Sequence, residues 1–221
     1  MKKSIRVFAS ASIGNIGCGF DVMGMAIDNP GDEVLLTRND SNKLIIKKIA
    51  GDEGKLSYDA KKNTVSVAIQ ALLQKLNLKQ GFDIELIKKM PLGSGLGSSA
   101  ASAVAGVFAA NNLLNKPFKS KQELVPFAME GERVACGTAH ADNVAPCMLG
   151  GIVLVRKNNP LDLIQLAVPE KLIVIVVHPH IELLTKDARA VLPKTISMHD
   201  GITQWGNTAA LVAGLYQSDY N

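Results

Sequence analysis

The chain has 221 residues, of which 47% are hydrophobic and 20% charged. That balance excludes an intrinsically disordered chain and supports one large or two small domains with real cores. The formal charge is +4 and aromatic residues are 5%, without the basic stripe and interleaved aromatics of a nucleic-acid binder, so no nucleic-acid partner is expected.

In chain order, Ser4–Ala9 reads as a strand, followed by a glycine-rich turn at Gly14–Gly19 and extended structure at Met23–Ile27. Glu33–Arg38 and Leu44–Ile49 read as strands joined by a turn at Asn39–Asn42. Val65–Leu76 has apolar residues at helical spacing and ends near Asn77. Gly81–Lys88 alternates as a strand, and the small, apolar run from Ala100 to Leu114 predicts a buried helix. Ser120 with Glu123 forms a capping-box pattern before a helix over Lys121–Glu130. Gly150–Arg156 predicts a strand, and the continuous apolar run Lys171–His178 a buried central one. Asp187–Val191 and Gly201–Tyr216 predict helices. Antiparallel strands mixed with helices give an α+β fold, with a domain change in the polar, proline-containing stretch Asn158–Pro169.

Residues 91–102, PLGSGLGSSAAS, carry the strongest chemical signal. Alternating Gly93, Gly95 and Gly97 empty into a helix N-terminus, where free N–H groups and the dipole suit a phosphate. Neither a Walker A motif nor a dinucleotide fingerprint fits, because no Lys precedes Ser98 or Ser99 and the spacing is GxGxG. A tight packing loop is the rival reading. A serine hydroxyl at the helix start can reach a phosphate-held metal.

This loop resembles the phosphate-binding loop of the galactokinase, homoserine kinase, mevalonate kinase and phosphomevalonate kinase superfamily. ASIGNIGCGFDVMGMAID (Ala11–Asp28), GTAHADNVAPCMLGG (Gly137–Gly151) and LTKDARAVLP (Leu184–Pro193) stand in the same order as in its homoserine kinase branch. The resemblance covers nearly the whole chain. It implies a ribosomal protein S5 domain 2-like ATP-binding domain over residues 1–160. It also implies the start of a ferredoxin-like domain over 161–221, truncated before the family's later glycine-rich motif and second carboxylate-binding arginine. The implied activity is ATP-dependent phosphorylation of L-homoserine in threonine synthesis, with ATP and Mg²⁺ as cofactors and a homodimer as the analogous assembly. Alternatives are a mevalonate-type small-molecule kinase of the same superfamily and a non-catalytic nucleotide or amino-acid binding module.

By motif match the resemblance implies that Pro91, Leu92, Gly93, Ser94, Gly95, Leu96, Gly97, Ser98, Ser99, Ala100 and Ala101 cradle the ATP phosphates. Asn63 matches the adenine contact; a helix N-cap is the rival reading, and the two are not exclusive. Ser99 and Glu132 match the metal positions, with Ser98 beside them; taken alone, Glu132 reads as a solvated helix carboxylate. Eleven places after Glu132, where mevalonate kinases carry an Asp proposed as the base, stands Asn143. An amide accepts no proton at useful pKa, so the resemblance implies in-line transfer without a side-chain base, with catalytic roles for Asn143, Thr185 and Arg189. For the acceptor, Asp21 is implied for the ammonium, Asn15 and Asn143 for the hydroxyl and Arg189 for the carboxylate, with His140 orienting the substrate. Without the family match, Asn15 and Asp21 read as turn residues. The direction of Asp142 is open, and His178 and His180 read as loop residues rather than metal ligands.

Cys18, Cys136 and Cys147 contain no CxxC pair, which argues against a disulfide framework. Cys18 reads as either a reactive thiol or a small apolar filler. The N-terminal MKKSIRVFAS lacks an apolar signal core, and no run approaches ~18 apolar residues. No membrane partner and a cytoplasmic location are therefore expected.

Overall fold

A computed structural model describes residues 2–137, 140–177 and 185–219. Strands β1 (Ser4–Gly14) and β2 (Met23–Asn39) are longer than their sequence patterns. The two pieces expected within β2 form one strand because β1 pairs along both, from Ser4 opposite Thr37 to Gly14 opposite Gly24. A register shift between Ser10 and Ser12 absorbs the extra β2 residues around Asn29 and Pro30. With β3 (Leu44–Ala50), β4 (Gly81–Ile87), β5 (Ile152–Asn158) and β6 (Leu161–Leu166) they form one sheet. Its order is β3-β4-β2-β5-β6, with β1 paired to β2. Only β3 and β4 are parallel, joined through helix α1 (Thr64–Lys75); the other pairs are antiparallel. The expected domain change near residue 160 falls in the β5–β6 turn, and β6 stays hydrogen-bonded to β5.

The α+β expectation holds: α1, α2 (Ser98–Leu113), α3 (Val125–Cys136) and α4 (Ala141–Leu149) pack together on the sheet. Helix α2 is apolar on every side because it is covered on every side, by α1, α3 and α4 as well as by β1 and β2. Val65, Ile69 and Leu72 of α1 join Val34, Leu36, Phe82, Ile84 and Leu86 of the sheet in the main core. Each such side chain contributes roughly 1.5–3 kcal/mol on burial. Along β5 the pleat sends Val153 and Val155 into this core and Ile152 and Leu154 to the other face. There Met23, Ile152 and Leu166 meet Leu211, Val212 and Leu215 of α6 (Met198–Gln217).

Two expectations change. The helix expected over Lys121–Glu130 is a 3-10 turn at Gln122–Leu124 followed by α3, which runs on to Cys136. The Ser120–Glu123 box is present: Glu123 N–H donates to Ser120 Oγ at 3.2 Å and Ser120 N–H to Glu123 Oε2 at 2.8 Å. The central strand expected over Lys171–His178 does not form among its described residues. Ile173, Ile175 and Val177 are 83%, 85% and 82% exposed. A strand needs a neighbour for its backbone groups, and no described strand pairs with this segment.

Beneath the β4–α2 connection lies a buried ion pair, Asp32 with Lys88. Asp32 also accepts from Lys89 N–H at 2.8 Å, Met90 N–H at 3.1 Å and Ser98 Oγ at 2.7 Å. Lys88 Nζ donates further to the Ser98 carbonyl and to Ser102 Oγ, each at 2.8 Å. Burial pulls the Lys88 ammonium below its ordinary pKa, and the Asp32 charge opposes that shift. Lys88→Met leaves the Asp32 carboxylate buried without its cation. The expected loss is about 3–5 kcal/mol of stability, read as a lower urea midpoint; an unchanged midpoint would remove the pair from the fold's stability.

Candidate active site

The chain leaves β4 at Ile87 and enters α2 at Ser98 through the glycine loop. Gly93, Gly95 and Gly97 have φ of 70°, 73° and 66°, in the region that L side chains rarely adopt. At Gly97, the α2 N-cap, a Cβ would also stand 2.2 Å from Ser12 Oγ. Ser12 N–H donates to the Leu96 carbonyl at 3.0 Å, which ties the loop to β1. Residues Leu92 to Ser99 line a cleft of about 290 Å³. The helix N-terminus there supplies the free N–H groups and positive dipole end that an anion needs.

Glu132 reaches the same cleft from α3. It is buried, and Ser99 Oγ donates to its Oε2 at 3.1 Å. Its Oε1 has no hydrogen-bond partner among the described residues. Burial raises its pKa to about 7, a shift that the Ser99 hydrogen bond partly offsets. A buried carboxylate oxygen beside a serine hydroxyl is a donor set for a hard divalent cation that takes its remaining ligands from phosphate and water.

The other wall comes from three separate segments. Asn15 and Asp21 stand on the β1–β2 loop, Asp142 and Asn143 on α4 with His140 at its N-cap, and Arg189 on α5 (Thr185–Ala190). Arg189 grips Asp21 with two hydrogen bonds, Nη1 to Oδ2 at 2.9 Å and Nη2 to Oδ1 at 2.5 Å. The Arg189 guanidinium also lies 5.5 Å from the Phe20 ring centre. His140 Nδ1 is 3.9 Å from Asp21 Oδ2, and its buried Nε2 has no partner among the described residues. Asn15 Oδ1 accepts from Asp21 N–H at 2.9 Å, which leaves its NH₂ group as a donor. Ser12 Oγ donates to Asn143 Oδ1 at 3.1 Å and orients that amide.

Most of the residues singled out in the sequence meet in this cleft: Asn15, Asp21, Leu92–Ser99, Glu132, His140, Asn143 and Arg189. Ala100 and Ala101 are fully buried within α2, and Pro91 stands just ahead of the lining residues. Asn63 caps α1. Its Oδ1 accepts from Val65 N–H at 3.2 Å and its Nδ2 donates to the Ser57 carbonyl at 2.9 Å, and it does not line the cleft. Thr185 starts α5, and its side chain lies outside the described residues, as do His178 and His180.

Asp142, left open by the sequence, lines the cleft. Burial raises its carboxyl pKa, and the nearby Asp21 charge adds to the shift. Its backbone presses against β2, where a Cβ on Gly24 would stand 1.7 Å from the Asp142 carbonyl oxygen. The sequence reading also missed Ser12, Asp32 and Lys88. Asp32 stands beside Glu33 in β2 and Lys88 beside Lys89 just past β4, so neither stood out from its charged neighbours.

Residues 63–151 match the GHMP kinases N terminal domain. The homoserine kinase of Chlorobium phaeovibrioides is 54% identical, over 99% of this chain and 71% of its own length. The crystal structure of homoserine kinase from Cytophaga hutchinsonii matches with a TM-score of 0.92 and 56% identity, covering 99% of this chain and 69% of that one. The mevalonate kinase of Methanococcus jannaschii matches at a TM-score of 0.57 and 20% identity, over 75% of this chain and 56% of that one, a likeness of fold alone. With the glycine loop, the Ser99–Glu132 pair and the Asp21–Arg189 pair gathered in one cleft, this chain belongs to the homoserine kinase family of the GHMP kinases.

Proposed function

We propose that the cleft transfers the γ-phosphoryl group of ATP to the side-chain hydroxyl of L-homoserine, giving ADP and O-phospho-L-homoserine. The observation that carries this reading is that a phosphate-type loop and the Asp21–Arg189 ion pair line the same cleft. Backbone N–H groups of the loop and the α2 N-terminus hold the phosphates. Ser99 and Glu132 hold Mg²⁺, which when bound neutralises phosphate charge. On the other wall, the substrate's carboxylate takes Arg189 and its ammonium takes Asp21, with the Asp142 carboxyl lining the same cleft. Bound substrate thus replaces the internal ion pair with two intermolecular ones. A mevalonate-type acceptor has a carboxylate and no ammonium, and would offer Asp21 no new partner in exchange for Arg189.

Asn143, His140 and the Asn15 NH₂ group orient the hydroxyl. No side chain is needed as base: the oxygen attacks the γ-phosphorus as the bond to ADP breaks, and the hydroxyl proton leaves late, to a phosphate oxygen. Positioning and charge stabilisation carry such a transfer. The finer domain reading goes with this function: residues 1–160 as an S5 domain 2-like ATP-binding unit, to whose sheet β6 still pairs, and 161–221 as part of a ferredoxin-like one.

The direct test is coupled ADP release with ATP and Mg²⁺ against homoserine, serine, threonine and mevalonate. Turnover with homoserine above the others is the expected result. No turnover with any acceptor by folded protein would favour a binding module. Asp21→Ala is expected to raise the homoserine KM by about tenfold to a hundredfold, the range for a lost charged hydrogen bond, with the ATP KM nearly unchanged. Equal loss of both affinities would remove Asp21 from the acceptor site.

Glu132 adds a pH-dependent prediction. Its folded-state pKa of about 7 lies above the ordinary 4.5, so the folded state favours the protonated form. Its destabilising effect is absent below pH ~4.5, grows between the two values and reaches about 3 kcal/mol above pH ~7. Glu132→Gln is therefore expected to abolish metal-dependent turnover while raising Tm at about pH 8, with a much smaller gain near pH 5. A lower Tm at both pH values would show that the carboxylate supports the fold.

A further inference from the structure

The loop that carries Asn15 and Asp21 is strained. Asn15, Ile16, Gly17 and Asp21 have φ of 71°, 42°, 67° and 59°, and a positive φ is especially costly at the β-branched Ile16. Such a backbone persists only when its surroundings over-determine it. Within the loop, Asp21 N–H is held by Asn15 Oδ1, and Val22 and Met23 N–H donate to the Gly19 carbonyl at 3.0 and 2.9 Å. At the crest, the Cys18 peptide has no such internal partner among these bonds. Its carbonyl instead accepts from Gln204 Nε2 and from Thr208 Oγ1, the latter at 2.9 Å. The same hydroxyl lies 2.9 Å from the Gln204 carbonyl, and Cys18 Sγ donates to the Asn207 carbonyl at 3.4 Å. All of these α6 groups are more than 180 positions away in sequence. Helix α6 is anchored by Leu211, Val212 and Leu215 in the second core cluster, which also takes Ile16 and Val22 from either end of the loop.

We infer that Gln204 and Thr208 are positioning residues for the acceptor. By holding the Cys18 carbonyl they fix the left-handed loop, so that Asn15 and Asp21 present their side chains to the cleft. Neither residue lines the cleft, so their effect passes through the loop. The inference rests on the reading of this wall as the homoserine site. A structural prop for the whole fold would act on both substrates; a clamp on this loop acts on one.

The test uses the full chain carrying Gln204→Leu, Thr208→Val, or both, with Thr208→Ser as the conservative variant. Two neutral hydrogen bonds correspond to about a tenfold rise in the homoserine KM for the double variant. The ATP KM should stay within about twofold, and Thr208→Ser should restore the wild-type value because it keeps the hydroxyl. Hydrogen exchange read by mass spectrometry supplies a measurement independent of turnover. Amides of residues 15–22 should exchange faster in the double variant, with residues 91–99 unchanged. An unchanged rate at 15–22, or a parallel rise in both KM values, would overturn the clamp. If the wild-type chain does not phosphorylate homoserine, the functional reading fails, and the exchange rates still decide whether α6 holds this loop.

Discussion

The buried contact between Asp32 and Lys88 is what the glycine-loop half of the cleft depends on. The glycine loop turns at Gly93, Gly95 and Gly97, which are left-handed and resist no particular conformation. Its two ends are nonetheless fixed. Asp32 takes the backbone of Lys89 and Met90 on the entering side and the Ser98 hydroxyl on the leaving side. Lys88 takes the Ser98 carbonyl and Ser102 from beneath. One carboxylate and one ammonium thus staple the start of the loop to the first turn of α2. Taking two charges out of water is costly, and such pairs rarely add net stability over an apolar replacement. Here the return is a loop already shaped for phosphate, which lowers the ordering cost at binding.

Charge is arranged differently at Glu132. Glu132 is buried with one oxygen unsatisfied and a pKa of about 7. A carboxylate kept there for stability would carry a full set of donors, as Asp32 does. Asp32 on β2 and Glu132 on α3, both elements packed against α2, thus differ in their donors, and on the proposed reading the bare Glu132 oxygen serves a ligand. Composition and spacing alone left Glu132 as an ordinary helix carboxylate, because the burial that perturbs it comes from α3 packing on α1 and α2.

Much of this was legible locally. The alternating glycines and the apolar α2 sequence marked the loop and its helix, and Ser120 with Glu123 marked a helix start that the structure moves by one 3-10 turn. Non-local features were not legible. Asp32 and Lys88 are 56 positions apart, and their pairing follows from the β2–β4 register that places Glu33 opposite Ile87. Helix α4 escaped because Pro146 stands inside it. Proline there removes the N–H that would bond the Asp142 carbonyl, and that carbonyl lies against Gly24, where there is no side chain to meet it. The run Leu172–Val177 misled in the opposite direction, since an apolar composition does not supply the neighbouring strand that pairing requires.

The two walls of the cleft consequently differ in how they are held. The phosphate wall grows from the main core and is pinned by a buried ion pair. The acceptor wall is assembled from a strained loop, the N-terminal end of α4 and a short helix, joined by Asp21–Arg189 and by hydrogen bonds to α6. Segments with few buried apolar contacts open at lower free energy than core elements. On the proposed reading of this wall, an incoming amino acid exchanges the Asp21–Arg189 contact for one new partner on each side, its ammonium for Asp21 and its carboxylate for Arg189. A ligand with a single charge would break the Asp21–Arg189 contact and replace it on one side alone, a smaller return than a zwitterion gives. The ion pair thereby makes selectivity a property of the exchange, set by what the substrate must replace as well as by what it contacts.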